Sequence, residues 1–363
     1  MKILRPLSVF SIWSTLAGCL VLAASTAVAQ VSLAPPGAQT PPASKPAAKP
    51  KPKPHAITRP PASAATPKAA ATPAATVTPA PAPDDPNVDL VFGAYQRGQY
   101  KTAFDLAIRR AQERNDPKAM TMLGELYSNA MGVRRDDAKA VEWYQRAADA
   151  GDREGMLALA MLRLAGRGGP VNREEAVKLL ASSAKLGEPK AAYNLALLYL
   201  GGESLPQDVK RATELLRVAA DAGNPEAQYA LATFYKEGNG VPKDLEKAVR
   251  LMQAASLADN VDAEVEYAIA LYNGTGTPQN QPAAVALLRK AARQNSAIAQ
   301  NRLAHALLSG HGTAMDKIEG LKWHLVAKGA GKGDPMLDEA FSELSPEDRA
   351  KAEAAASKWL GTK

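Results

Sequence analysis

The sequence predicts an all-α fold, a right-handed α-solenoid of helix-turn-helix units with a period of 36 residues, and three observations carry that prediction. A large residue followed by a small one returns every 36 residues: Leu123-Gly124, Leu159-Ala160, Leu195-Ala196, Leu231-Ala232, Tyr267-Ala268 and Leu303-Ala304. The same step aligns the small residues Ala140, Ala176, Ala212, Ala248, Ala284 and Gly320. It also aligns Asp136, Asn172, Asp208, Asp244, Asn280 and Asp316, residue types that cap helix starts. Six copies fit without an insertion or deletion. A fixed period of about 20 to 50 residues marks a solenoid, in which each unit buries its apolar face only by stacking on its neighbours.

A chain of 363 residues has room for two or three ordinary domains, but the repeat replaces them with one elongated domain behind an N-terminal extension. No segment is left over for a separate catalytic domain. The net charge of +7 is concentrated in that extension. Residues 1–83 hold 8 Lys and Arg and no acid, whereas residues 84–363 hold 36 basic and 37 acidic residues. The repeat region is therefore close to neutral, which argues against a phosphate-tracking surface and so against nucleic acid as a partner. The single cysteine, Cys19, excludes a disulfide framework or a thiolate metal site in the body.

Residues 1–29 read as an export signal: Lys2 and Arg5, an apolar run, then Ala27-Val28-Ala29 as an A-x-A cleavage site. Two alternatives remain open, an uncleaved membrane anchor and a lipobox, since Leu16-Ala17-Gly18-Cys19 would make Cys19 a lipidated first residue. Residues 30–83 are a Pro-, Ala- and Lys-rich linker expected to be disordered, with 16 of the 27 prolines between Pro35 and Pro86. As extended polyproline II at about 3.1 Å per residue, such a tether reaches on the order of 170 Å. It is either a passive spacer or a basic arm, with Lys45 to Pro54 as its core, that touches cell wall or an anionic surface. Residues 84–115 form a divergent capping helix pair, Leu90, Val91 and Tyr95 lining one helix and Tyr100, Ala103, Phe104, Ala107 and Ile108 the other.

Within each copy the helix signals are explicit. Pro117, Pro189 and Pro225 open helix A, Gly132, Gly168, Gly240, Gly276 and Gly312 mark its turn, and the Asp or Asn column caps helix B. Helix B ends at Gly151, Gly187, Gly223 and Gly331, with Asp259 and Asn295 in the other two copies. The motifs A-x-x-x-L-G-x-x-Y (Ala119, Leu123, Gly124, Tyr127), G-V-x-x-D (Gly132, Val133, Asp136) and K-A-V-x-W-Y-x-x-A-A-x-x-G (Lys139 to Gly151) resemble the Sel1-like repeat, a relative of the tetratricopeptide repeat. The resemblance covers residues 116–334 and implies an adaptor that assembles complexes or restrains envelope signalling and polysaccharide-regulating proteins. Copies two, five and six depart most from the pattern: Arg163 and Leu271 replace the tyrosine, and Lys328 replaces a packing alanine.

Residues 335–363 break the period and read as C-terminal capping helices, Ser345-Pro346-Glu347-Asp348 starting the last one. Leu344, Ala352, Ala355, Ala356, Trp359 and Leu360 are expected to cover the final repeat. Four G-x-G tripeptides, such as Gly274/Gly276, lack the strand and Lys-Ser/Thr context of a phosphate loop and read as turns. His305, His311 and His324 all fall in the last copy, but His324 occupies a core slot and His311 a variable turn slot, so no metal site is expected. Acid pairs such as Asp136-Asp137 sit at helix starts, where capping explains them, and no catalytic constellation is present. No enzymatic activity, cofactor or small-molecule substrate is expected.

In tetratricopeptide-like solenoids three columns of helix A face the concave groove. Here they supply Leu157, Met161 and Leu164; Tyr193, Leu197 and Leu200; Tyr229; and Val265, Ile269 and Tyr272. Helices apolar on this face as well as on their packing face must cover both. Either superhelical curvature buries the second face, or it forms a groove that takes an extended or helical segment of a partner protein. The expectation is a non-enzymatic scaffold of the periplasm or cell envelope that binds a protein through this groove; the alternative is a structural envelope protein docked to cell wall by its basic tether.

Overall fold

The computed structural model describes residues 89–361. The export signal, the Pro-rich linker and Cys19 lie outside them. The described residues form sixteen α-helices and no strand. Helices α1 (Leu90–Gln96) and α2 (Tyr100–Arg114) precede the repeats. Six A helices follow: α3 (Pro117–Ser128), α5 (Arg153–Ala165), α7 (Pro189–Gly201), α9 (Pro225–Glu237), α11 (Val261–Asn273) and α13 (Ala297–Ser309). They alternate with six B helices: α4 (Asp137–Asp149), α6 (Arg173–Lys185), α8 (Val209–Asp221), α10 (Leu245–Leu257), α12 (Gln281–Arg293) and α14 (Lys317–Gly329). Two more, α15 (Pro335–Ser342) and α16 (Pro346–Leu360), end the structure. As far as α15 each helix packs on its chain neighbours, the arrangement of an α-solenoid, and α16 packs back on α14.

The helix boundaries follow from capping chemistry. In all six B helices the Asp or Asn side chain accepts a hydrogen bond at 2.9–3.1 Å from the backbone N–H three residues on. Each such cap stabilises its helix by about 1 kcal/mol relative to alanine. Pro117, Pro189 and Pro225 sit at the first turn, where a missing N–H costs nothing. The residue closing each B helix is left-handed, including Asp259 (φ 59°) and Asn295 (φ 65°), where glycine stands in the other copies. Gly276, at φ 71°, shows why the turn needs glycine twice over. Besides the left-handed backbone, a Cβ there would lie 2.5 Å from the Leu245 carbonyl oxygen, because the turn of one repeat rests on the start of the preceding helix B.

The core is built from leucine against alanine. Leu123, Leu159, Leu216, Leu231, Leu288 and Leu303 are buried with Ala140, Ala176, Ala212, Ala248 and Ala284. The small residues let helices A and B approach closely, which a two-helix unit needs to form a dry interface.

A second contact ties helix A to helix B in the first four repeats, and it accounts for the Arg163 departure. Lys139 lies over the Tyr127 ring at 5.4 Å, Arg211 over Tyr199 at 5.3 Å and Lys247 over Tyr235 at 5.4 Å. In the second repeat both partners change together: Arg163 replaces the tyrosine and Glu175 the cation, and they pair at 2.9 Å. In the fifth, both positions are apolar, Leu271 and Ala283. Lys328, in place of a packing alanine, points outward and pairs at 2.6 Å with Asp338 of α15.

The ends are covered as follows. Phe104 of α2 meets Tyr127 edge-on at 5.5 Å, joining the first helix pair to the first repeat. At the other end Trp359 meets Trp323 at 5.0 Å, and Ala352 and Ala356 are buried. Leu360 does not cover the last repeat as the sequence suggests; it is 52% exposed. Positions 352, 356 and 359 share one face of α16, and the next residue is rotated about 100° away from it.

Candidate partner-binding face

Side-chain bonds reach from three of the A helices to the next A position. Thr121 of α3 donates from Oγ1 to Asp152, the cap of α5, at 2.6 Å. Asn301 of α13 donates to Asp334, the cap of α15, at 3.0 Å. Lys236 of α9 pairs with Glu266 of α11 at 2.7 Å. These bonds join one A helix to the element occupying the next A position, and they place the predicted columns side by side along one face.

That face is neither fully open nor fully closed. Leu157 and Val265 are buried at 9% and 3% exposure, so these two lie beneath the surface. Met161 and Leu164 are half-buried and pack with Leu157 and Leu195. Tyr193 and Leu200 pack against the cluster around Leu216 and Leu231, and Ile269 and Tyr272 against the one around Leu303. Leu197 and Tyr229 are also half-buried, yet among the described residues they join none of the apolar clusters. They are the members of the predicted set that these clusters leave out.

The ends of the face are polar. At the first repeat Glu125 accepts from Asn129 Nδ2 at 2.7 Å and from the buried Tyr144 hydroxyl at 3.1 Å. At the last, His305 Nε2 lies 2.8 Å from Asp334. Burial would raise the Asp334 carboxyl, but hydrogen bonds from Asn301 and His305 outweigh it and hold the group down to about 2. His324 is fully buried with Nε2 2.8 Å from Asp338, and the His311 backbone N–H reaches Ser309 Oγ in an exposed turn. The three histidines thus occupy separate settings, and the described residues contain no group of three or more metal-ligating side chains.

Between those ends the face is aromatic and acidic. Burial, and then the Glu226 carboxylate, push the Tyr193 hydroxyl up to about 12. Tyr229 is pushed up further by burial, Glu266 and Asp262. The Asp262 carboxyl is raised by burial and then by Glu266, although the residue is exposed by surface area. Glu226, Asp262 and Glu266 were not among the residues predicted from sequence. The available signal is helical spacing, since Glu226 lies three residues before Tyr229, and Asp262 three before Val265.

Six consecutive segments, residues 117–152, 153–188, 189–224, 225–260, 261–296 and 297–331, match the Sel1 repeat model. Each begins at or next to the first residue of an A helix. Among solved structures the chain is similar to a Sel1 repeat protein from Oxalobacter formigenes, at 26% identity and a TM-score of 0.60, over 66% of this chain and 98% of that one. It also shares its fold with c5321, a protective antigen of uropathogenic Escherichia coli strains with an SLR fold, at 24% identity and a TM-score of 0.50, over 75% of this chain and 68% of that one. No curated protein matches the chain. Proteins built from Sel1 and tetratricopeptide-like repeats serve generally as protein-interaction scaffolds and are generally not enzymes. With six contiguous matches spanning more than half of its length, in the register its capping residues set, this chain belongs to the Sel1 repeat family.

Proposed function

We propose that this protein is an exported, non-enzymatic scaffold of the periplasm or cell envelope that binds a segment of another protein on the A-helix face, with regulation of envelope signalling as its role. The observation that carries the binding reading is the half-exposed apolar surface of Leu197 and Tyr229, which no core cluster covers. Half-buried aromatic and aliphatic side chains are the usual anchors of a bound segment. Support for export comes from the apolar N-terminal run and the Ala27-Val28-Ala29 site. Lipidation at Cys19, giving an outer-membrane lipoprotein, is the alternative placement.

The test is covalent cross-linking in the native cells, followed by identification of the captured proteins. Wild type is compared with Leu197→Glu, whose helicity is checked first. Loss of a captured protein in the variant supports the reading; unchanged capture removes this face from consideration. The second reading, a structural protein docked on cell wall, is favoured by the eight basic and no acidic residues of 1–83. It requires that deleting Lys45 to Pro54 abolish sedimentation with isolated cell walls while Leu197→Glu sediments normally.

A further inference from the structure

The turn between helices A and B is built differently in the first repeat. In the other five copies helix A is capped by a left-handed glycine, Gly166, Gly202, Gly238, Gly274 or Gly310. The residue five positions on lies across that glycine: a Cβ there would meet Val171 Cγ2 at 2.9 Å, or the Cβ of Gln207, Lys243, Gln279 or Met315 at 3.0–3.5 Å. The residue four positions on is proline in four of the five, Pro170, Pro206, Pro242 and Pro278. The first repeat has Ala130 at the glycine position, left-handed all the same at φ 57°, and Arg134 and Arg135 at the other two. A methyl at 130 takes the space that the side chain at 135 would need, and Arg135 turns instead to Asp137, its Nη2 3.0 Å from Oδ2.

Beside this turn the structure holds a cavity of about 640 Å³. Its half-buried lining is apolar and aromatic: Phe104 of α2, Tyr127 of α3 and Val133. Its exposed lining is basic: Arg134, Arg135 and Lys139, with Asp136 as the one acid. These charges do not cancel. Asp136 accepts from the Lys139 backbone N–H at 3.0 Å and lies 3.8 Å from Lys139 Nζ, and Asp137 holds both Arg135 and, at 2.7 Å, Arg167 of the next repeat. Arg134 has no ion-pair or hydrogen-bond partner among the described residues.

Resting on the protein-binding reading, we propose that this cavity is a second binding site, separate from the A-helix columns, which takes an acidic segment of a partner protein: an aromatic or aliphatic side chain against Phe104 and Tyr127, and a neighbouring carboxylate on Arg134. A guanidinium without an internal partner offers a carboxylate two parallel hydrogen bonds. The cavity lies within the range of about 300–1,000 Å³ found for sites that enclose a ligand of several groups, so it holds the apolar side chain and the carboxylate together.

The experiment uses the full-length protein and unlabelled hexapeptides, read by isothermal titration calorimetry. The probe is two Asp-Phe-Asp triplets. The controls are two Asn-Phe-Asn triplets, which keep the rings, and two Asp-Gly-Asp triplets, which keep the charge and so report binding to the basic residues of 1–83. The expected result is saturable binding of the probe and at least tenfold weaker binding of both controls. Arg134→Gln weakens the probe about tenfold, as loss of one charged pair does. Ala130→Gly, Arg134→Pro and Arg135→Gln together write in the turn of the third and fifth repeats, so this variant folds and loses the probe. Arg302→Gln, which removes an exposed arginine of α13, leaves the affinity unchanged. Circular dichroism on each variant confirms the fold. Equal binding of either control, or an unchanged affinity in Arg134→Gln, overturns the proposal. So does displacement of the probe by phenylacetate at the same concentration, because a small aromatic anion would then be the occupant. If the probe fails to bind while Leu197→Glu still removes a captured protein in cells, the A-helix face stands and only this second site falls.

Discussion

Exchanging the Arg163–Glu175 pair for the tyrosine–cation pair of the neighbouring repeats tests the idea that one A-to-B clamp recurs in two chemistries. The two side chains are 19% and 32% exposed, and Arg163 Nε lies 2.9 Å from Glu175 Oε2. The Nε proton is not aimed at that oxygen, so the contact is Coulombic rather than a formed hydrogen bond. At an effective dielectric near 20 the gross attraction is about 5–6 kcal/mol. Desolvation and side-chain ordering reduce the net to about 1 kcal/mol. Arg163→Tyr alone loses that and sets a carboxylate against a ring face, for a total near 1.5 kcal/mol. Glu175→Lys alone opposes two cations and removes the bond from Asn172 Nδ2 at 2.9 Å, for about 2 kcal/mol. The double substitution recreates the geometry of Tyr127 and Lys139 and returns to within about 1 kcal/mol of wild type. Urea unfolding followed by circular dichroism gives the cycle, and amide exchange in α5 and α6 localises it, since repeat arrays open in segments. If the two single effects add to within about 0.5 kcal/mol in the double variant, the positions are independent and the clamp is not one element.

Further expectations follow from other contacts. Glu264 is fully buried and its charge is met by Lys290 at 2.9 Å, so Lys290→Met destabilises by about 2 kcal/mol in thermal or urea unfolding. Adding Glu264→Gln recovers most of that loss, because Gln228 and Gln300 in the same column bond the Ala220 and Ala292 carbonyls at 3.2 and 3.1 Å. Gly276→Ala costs about 2 kcal/mol or more from the left-handed backbone and the approach to Leu245, while Gly361→Ala, with open space around it, costs only the backbone part. The Asp334 carboxyl is held down to about 2 in the folded protein from an ordinary 3.8, so its stabilising effect is complete above pH 3.8 and is lost as pH falls toward 2. Stability measured across that window falls less steeply in Asp334→Asn; an identical slope contradicts the assignment.

Local chemistry was the most legible part of this sequence. The capping column from Asp136 to Asp316, the prolines that open α3, α7 and α9, and the left-handed residues from Gly151 to Gly331 each depend on a few neighbouring residues, and each lies where the 36-residue register puts it. Burial of the A-helix face was not legible, because it depends on how one repeat sits on the next. Leu157 and Val265 share a column with Tyr193 and Tyr229, yet the first two are covered and the others half-open. Only inter-repeat contacts such as Thr121 to Asp152 decide which. The exchange of a cation–π pair for Arg163–Glu175 was visible in sequence only as the Arg163 departure; that Glu175 changes with it and pairs with it required the fold.

The central claim is that a partner protein occupies the A-helix face, and site-specific photo-cross-linking in the native cells tests it most directly. A photoreactive residue replaces Leu197, Ile269 or Thr233, which stands midway between them in the same 36-residue column of that face, or Glu214 and Arg250 on exposed positions of the B helices. One protein cross-linked from all three A-helix positions and from neither B-helix position is the predicted result. Cross-links equally frequent from the B-helix positions, or none from Leu197, contradict the claim.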